Sequence, residues 1–270
     1  KAMPRRVSHG SLAFASAATL FLLVLLAACG GSGDETAAPT AQPSPAAEAT
    51  ATPEATAVPA EFGQPVSFTT DDGVVIDGRL FGDGATAVIL SHMFPNDQTA
   101  WFPFADELAE EGFTVLTFDF RGYGDSGGDQ EISEIPHDLE AALDFMRDQG
   151  FTEIYLVGAS MGGSASLIVA SEEDVAGVVA ISAPQSFQGL EALDAVANVT
   201  EPKLFIASED DASAASSLKL FVEKAPEPKE ERVFTGSAHG TELFEGEHSQ
   251  EVRDLIIEFI SGAGSDRYGP

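Results

Sequence analysis

The chain has 270 residues, enough for one α/β domain with a substantial core. Its 44 Asp and Glu against 13 Lys and Arg give a formal net charge of −31, a surface that repels phosphate backbones and anionic headgroups and so excludes nucleic acid as a partner. The one cysteine, Cys29, leaves no internal disulfide to form, so stability must come from the core.

The N-terminus reads as a secretory signal. Lys1, Arg5 and Arg6 form a positive start, and Leu12 to Ala28 is an uncharged, largely apolar run. The run ends Leu26-Ala27-Ala28-Cys29 before Gly30, which resembles the bacterial lipoprotein signal, where the cysteine is lipidated and becomes the mature N-terminus. A single-span anchor and a plain secretory peptide are the alternatives; the apolar run is at the lower limit for spanning a bilayer. The expectation is therefore an exported, cell-envelope lipoprotein, with residues 1–29 as signal and Cys29 as the lipidation site that ties the chain to a membrane. Removing residues 1–28 takes away three basic residues and no acidic one, which deepens the negative charge. A well-solvated exported surface accounts for that charge, and attraction of cationic substrates is the second reading. Residues 30–60 are almost all Gly, Ser, Ala, Pro, Thr and Glu, a composition that buries too little apolar area to fold and predicts a tether.

From Glu61 the composition changes and the pattern predicts a folded domain over 61–265. Residues 65–70 and 74–81 read as two strands around the Asp72-Gly73 turn, a hairpin signal. A buried strand follows at 86–91, then a helix over 98–111 with Trp101, Phe104, Leu108 and Ala109 on one face. The alternation continues with a strand at 114–119, a helix at 136–148 carrying Leu139, Leu143 and Met146 inward, a strand at 154–157 and a helix at 164–170. Strands at 175–181 and 203–208 flank a short helical piece near 190–197; a helix at 214–223, a strand at 231–234 and a helix at 249–260 complete the pattern. Such alternation predicts an α/β fold with a mostly parallel, doubly wound sheet and the antiparallel hairpin at one edge.

Between the strand at 154–157 and its helix lies Gly158-Ala159-Ser160-Met161-Gly162. G-x-S-x-G at a strand-to-helix turn describes a nucleophile elbow, in which the serine takes a strained backbone and only glycine at the flanking positions lets strand and helix pack closely. Downstream, Gly236-Ser237-Ala238-His239-Gly240 follows the last strand, and Ser208-Glu209-Asp210-Asp211 follows the strand before it. Asp119-Phe120-Arg121-Gly122-Tyr123-Gly124-Asp125-Ser126 forms a glycine-rich turn after an earlier strand. With these motifs, residues 62–265 resemble the α/β-hydrolases, in the small, nearly lidless subgroup that includes dienelactone-hydrolase-like and esterase-like proteins.

The resemblance implies a Ser-Asp-His triad in the chain order Ser160, Asp211, His239. Asp211 takes the acid's position in the family pattern Gly-x-x-Asp, with Ser208 in place of the glycine; Asp210 stays open as the alternative. His239 is preferred over His92, His137 and His248, and His92 reads as a residue that tethers its loop. The oxyanion hole would use the N–H of Met161 and a second N–H from the loop at 91–96, best matched by Phe94 and next by Met93, which stands where relatives carry glycine. Arg121 should pair with a nearby carboxylate, and Asp125 should be structural.

Only about 20 residues separate the strands ending at Ile181 and starting at Lys203, too few for a large cap. Met93 and Phe187 are the candidate substrate-binding side chains, with Phe94 and Met161 near them. The implied activity is hydrolysis of carboxylic esters with small or medium acyl chains, the partner being a small-molecule ester. No cofactor is needed and no metal-ligand cluster is visible in the sequence. Peptidase, thioesterase, acyltransferase, lactonase and cofactor-free haloperoxidase activities share the same triad, and a catalytically idle binding protein on the same fold is the alternative from another class.

Overall fold

The computed structural model describes residues 62–262. The predicted signal, Cys29 and the tether at 30–60 lie outside the described residues, as do Glu61 and the last few residues of the predicted domain. Among the described residues no helix is long and apolar enough to cross a membrane.

Eight strands form one sheet: β1 (Gln64–Thr69), β2 (Val75–Phe81), β3 (Ala87–Ser91), β4 (Thr114–Phe118), β5 (Ile154–Ala159), β6 (Gly177–Ile181), β7 (Lys203–Ser208) and β8 (Lys229–Phe234). Their spatial order is β1-β2-β4-β3-β5-β6-β7-β8. β1 pairs antiparallel with β2 and β2 antiparallel with β4; every other pair is parallel. The predicted hairpin is therefore present and at the edge.

The helices are α1 (Phe102–Glu110), α2 (Ile135–Asp148), α3 (Met161–Val169), α4 (Ala192–Ala195), α5 (Ala212–Lys224) and α6 (Ser249–Ile260). They divide between the two faces. Ile89, Leu116, Leu156 and Phe205 point toward α2, α3 and α5, into one apolar cluster with Leu139, Leu143, Leu167 and Phe221. Leu90, Val115, Val157 and Ile206 point the other way, toward α1 and α6, into a second cluster with Trp101, Phe104, Val252 and Ile256. Because both faces are covered, all residues of β3, β4, β5, β6 and β7 are buried, which is why these strands read as continuous apolar runs.

Local signals explain the helix ends. Pro103 and Pro136 sit in the first turns of α1 and α2, where a missing N–H costs nothing. At the far ends the N–H groups of Phe113 and Phe151 reach back to the carbonyls of Leu108 and Met146. The region predicted as one helix from Gln98 begins as a 3-10 turn over Gln98–Trp101, capped by the Asp97 carboxylate on the Thr99 N–H. The helix after the elbow starts at Met161, three residues earlier than its apolar pattern predicts.

Lys203 starts β7 with no exposed surface, its ammonium donating to the carbonyls of Pro226 at 3.0 Å and Pro228 at 2.9 Å. Burial pushes its pKa down to about 8. This is the end of the sheet opposite the elbow, so the lysine belongs to the scaffold.

Candidate active site

Parallel strands present their carboxyl ends together, and the loops that leave β3, β5, β6, β7 and β8 at that end carry nearly every residue singled out from the sequence. Ser160 is the first residue past β5 and has φ 48° and ψ −113°, a conformation disfavoured for any side-chain-bearing residue. It is held there from two sides: its N–H donates to the Ile181 carbonyl at 2.7 Å, and its carbonyl accepts from the Ser164 N–H at 3.0 Å. The flanking glycines are sterically required. A Cβ on Gly158 would lie 2.3 Å from the Gly162 carbonyl oxygen, and one on Gly162 would lie 2.3 Å from that of Ser91.

Three side chains from three loops converge. His239 Nε2 lies 2.8 Å from Ser160 Oγ, and His239 Nδ1 lies 2.5 Å from Asp211 Oδ2. With Nδ1–H donating to the carboxylate, Nε2 is left to accept from the serine hydroxyl. Asp211 serves two partners, since its other oxygen caps α5 by accepting from the Ala214 N–H at 3.3 Å. Asp210, the alternative acid, is exposed, and among the described residues no hydrogen bond or ion pair joins it to His239; its N–H donates to the Gly236 carbonyl at 2.9 Å. The His239 side chain is 37% exposed and that of Asp211 11%, so the pair is more buried at the carboxylate than at the imidazole.

The histidine loop is supported at three points that the sequence reading did not anticipate. Ser208 donates its hydroxyl to the Ala238 carbonyl at 2.7 Å, joining the end of β7 to the residue before His239. Glu242 accepts from the His239 N–H at 2.9 Å in a capping box around a 3-10 turn at Gly240–Phe244. The His-x-x-Glu spacing was the legible signal for it. Met93 is the third support: its sulfur accepts from the Thr241 hydroxyl at 3.5 Å and fills the space beside Gly240. At 8% exposure the Met93 side chain is a prop for the histidine loop.

Of the two expected oxyanion donors, Met161 directly follows Ser160 in the chain. Met161 is the first residue of α3, so its N–H has no acceptor within the helix, and the positive end of the helix faces Ser160. Among the described residues no acceptor is seen for the Met161 or Phe94 N–H. The β3 loop runs tightly past the elbow, since a Cβ on Gly162 would also meet the His92 carbonyl at 2.7 Å. His92 fixes that loop. It is fully buried, its Nε2 accepts from the Phe120 N–H at 3.0 Å, and Nδ1 donates to the Met93 carbonyl at 3.1 Å. Burial pushes its pKa down, so it stays neutral. Its expected tethering role is what these contacts provide.

Phe94 is 44% exposed, and its ring lies 6.0 Å from that of Phe187 and 6.5 Å from that of Tyr123. The remaining turn is scaffold. Asp119 accepts from the Gln98 N–H and side-chain amide at 2.8 and 2.9 Å and from the Asp125 N–H at 3.1 Å. Arg121 pairs with two carboxylates, buried Asp138 at 2.7 Å and half-exposed Asp72 at 2.8 Å. Among the described residues no group of three or more His, Cys, Asp or Glu could hold a metal ion.

A parallel sheet with a strand–serine–helix elbow at the carboxyl ends of its strands is the α/β-hydrolase architecture. The alpha/beta hydrolase fold family matches residues 86–205 of this chain. The chain is 30% identical over 132 residues to the uncharacterized protein YfhR of Escherichia coli O157:H7, a match covering 45% of this chain and 46% of that protein. The match thus spans about half the length of that relative. Among solved structures, DcsB in complex with its substrate analogue superposes with a TM-score of 0.65 at 21% identity over 73% of this chain and 98% of that one. The esterase Pf2001 of Pyrococcus furiosus superposes with a TM-score of 0.65 at 20% identity, over 74% and 92%. At such identities the structures establish the fold alone. The family match covers residues 86–205, a little under half of the chain, and the solved structures agree with it in fold.

Proposed function

We propose that the protein is a serine hydrolase that cleaves carboxylic esters of small to medium acyl chains through an acyl-enzyme. The observation that carries this reading is the unbroken relay from Asp211 Oδ2 to His239 at 2.5 Å and from His239 to Ser160 Oγ at 2.8 Å, on a strained elbow beside the unspent Met161 N–H.

In this reading Ser160 Oγ attacks the ester carbonyl carbon while His239 Nε2 takes the hydroxyl proton. Asp211 keeps Nδ1 protonated and stabilises the imidazolium that forms. The carbonyl oxygen becomes an oxyanion held by the N–H groups of Met161 and Phe94. His239 then returns its proton to the alcohol oxygen as the C–O bond breaks, leaving the acyl group on Ser160. Water, deprotonated by the same nitrogen, attacks the acyl-enzyme; the acid leaves and Ser160 regains its proton. No step calls on a metal or an organic cofactor.

The N-terminal pattern ending at Cys29 supports export and attachment to a membrane by a lipid, with the tether at 30–60 spacing the enzyme from that surface. The test is hydrolysis of p-nitrophenyl butyrate and labelling by a fluorophosphonate, on the wild type beside Ser160→Ala. Ser160→Ala is expected to lose at least about 10⁴-fold in kcat/KM and all labelling. Equal labelling of both proteins would sink the assignment of Ser160, and a folded protein that neither turns over nor labels would point to a binding role.

A further inference from the structure

The two sides of Ser160 are built differently, and the difference assigns directions to the two halves of an ester. On one side stands His239, with its ring 37% exposed, with exposed Glu242 three residues further along the chain and exposed Asp210 directly before its partner Asp211. On the α3 side the β6 loop turns back across the site. Strand order places β5 between β3 and β6, so the contact of Phe94, from the β3 loop, with Phe187, from the β6 loop, spans the tip of the strand that carries Ser160. The β6 loop leaves along the first turn of α3, where the Ser164 hydroxyl donates to the Pro184 carbonyl at 2.9 Å and Ala183 packs on Gly163.

Phe187 is rigidly mounted. It pairs with Leu190 by two backbone hydrogen bonds of 3.0 and 2.9 Å across a two-residue turn. Gln188 at φ 45° and Gly189 at φ 100° are both left-handed, the requirement of a type I′ hairpin. Leu190, 1% exposed, anchors the turn in the core, and Gly189 presses so close to Ser133 that a Cβ would come within 2.9 Å of that side chain. A phenyl ring held on so short a hairpin acts as a fixed wall.

Triad chemistry decides which half of the substrate meets that wall. The alcohol oxygen must receive its proton from His239 Nε2, so the alcohol lies on the histidine side. With the carbonyl oxygen at the Met161 N–H, the acyl chain has to run the other way, toward Phe94 and Phe187. The loops around the site supply no cation to a charged chain. Residues 92–101, 119–134, 182–191, 209–211 and 235–248 contain one Lys or Arg, Arg121, which is buried and paired.

Resting on the serine-esterase reading, we infer that Phe187, backed by Phe94, sets the acyl specificity: the site takes short, uncharged acyl groups and leaves the alcohol half unrestricted. The substrate class is therefore short-chain acyl esters of alcohols of any size.

The experiment uses two series on the full chain: p-nitrophenyl esters from acetate to decanoate with the hemisuccinate, and acetates from ethyl to octyl. In the wild type, kcat/KM should fall about tenfold or more from butyrate to decanoate and from butyrate to hemisuccinate, while the alkyl acetates stay within about threefold of one another. Phe187→Ala should raise the decanoate-to-butyrate ratio about tenfold, and Phe187→Trp should lower it. A merely structural role would shift both variants the same way. Unchanged ratios in both variants, a wild type that prefers decanoate, or steep discrimination among alcohols would overturn the inference. If Ser160 takes the fluorophosphonate but the ratios do not move, only the inference falls. If Ser160 is not labelled and no ester is cleaved, the esterase reading falls and takes the inference with it.

Discussion

Two histidines sit in loops at the carboxyl ends of strands in this molecule, His92 after β3 and His239 after β8, and they have opposite fates. His92 has no exposed surface and both ring nitrogens are spent on backbone groups at 3.0 and 3.1 Å. His239 keeps 37% of its side chain exposed, gives one nitrogen to a carboxylate, and faces a serine hydroxyl with the other. The same side chain is a bracket in one loop and, in the proposed function, the centre of a proton relay in the other. What separates them is whether a nitrogen is left to accept a proton within reach of an open substrate position.

The carboxylates divide in the same way. Asp119 and Asp138 are buried, and their oxygens are occupied by amide and guanidinium donors. Asp211 divides its oxygens between a helix cap and His239. A buried, saturated carboxylate holds loops in register; a partly open one bonded to an imidazole can support charge that appears and disappears.

On the proposed function, the sharpest way to break the comparison is at the partner of His239. Asp211→Asn keeps the shape but leaves Nδ1 facing an amide that can favour the wrong tautomer, and kcat should fall roughly 10³–10⁴-fold with little change in Tm. Steady-state ester hydrolysis beside a thermal melt checks it; near wild-type turnover would transfer the acid role elsewhere. The saturated region should respond in stability. Arg121→Met strands buried Asp138 without its cation, which should cost about 3–5 kcal/mol in urea unfolding while the folded fraction still labels with fluorophosphonate. Loss of labelling with full stability would place Arg121 in the chemistry after all.

The smallest effect concerns His92 and pH. Burial lowers its pKa in the folded state, so below about pH 6.5 the unfolded chain binds a proton that the folded protein refuses. Its contribution to stability is complete above that pH and is lost as the solution is acidified, with a slope of at most about 1.4 kcal/mol per pH unit. His92→Gln should flatten this acid limb by up to one proton, read as a difference in urea midpoints between pH 7 and pH 5. An identical pH dependence in both proteins would mean that His92 is protonated in the fold.

Much of this architecture was legible along the chain, because periodicity reports burial directly. The all-apolar runs of β3, β5 and β7 and the helical spacing of Leu139, Leu143 and Met146 leave few other solutions. The short segments were harder. The 3-10 turns at Gln98–Trp101 and Gly240–Phe244 carry too few residues for a period, and the helical piece near 190–197 shortens to α4 with a 3-10 turn at Val196–Asn198.

The sequence by itself determined the alternation of strands and helices and the elbow glycines, since these depend on local sterics and on apolar spacing along the chain. It left Asp210 and Asp211 open, because adjacent carboxylates differ only in which one the helix cap of α5 turns toward His239. It could not assign Met93 to the histidine loop or Ser208 to the Ala238 carbonyl, because each is a contact between strand-end loops far apart in the chain. Such contacts depend on the sheet's order in space, which brings loops separated by tens of residues to one edge, and only the tertiary structure supplies that order.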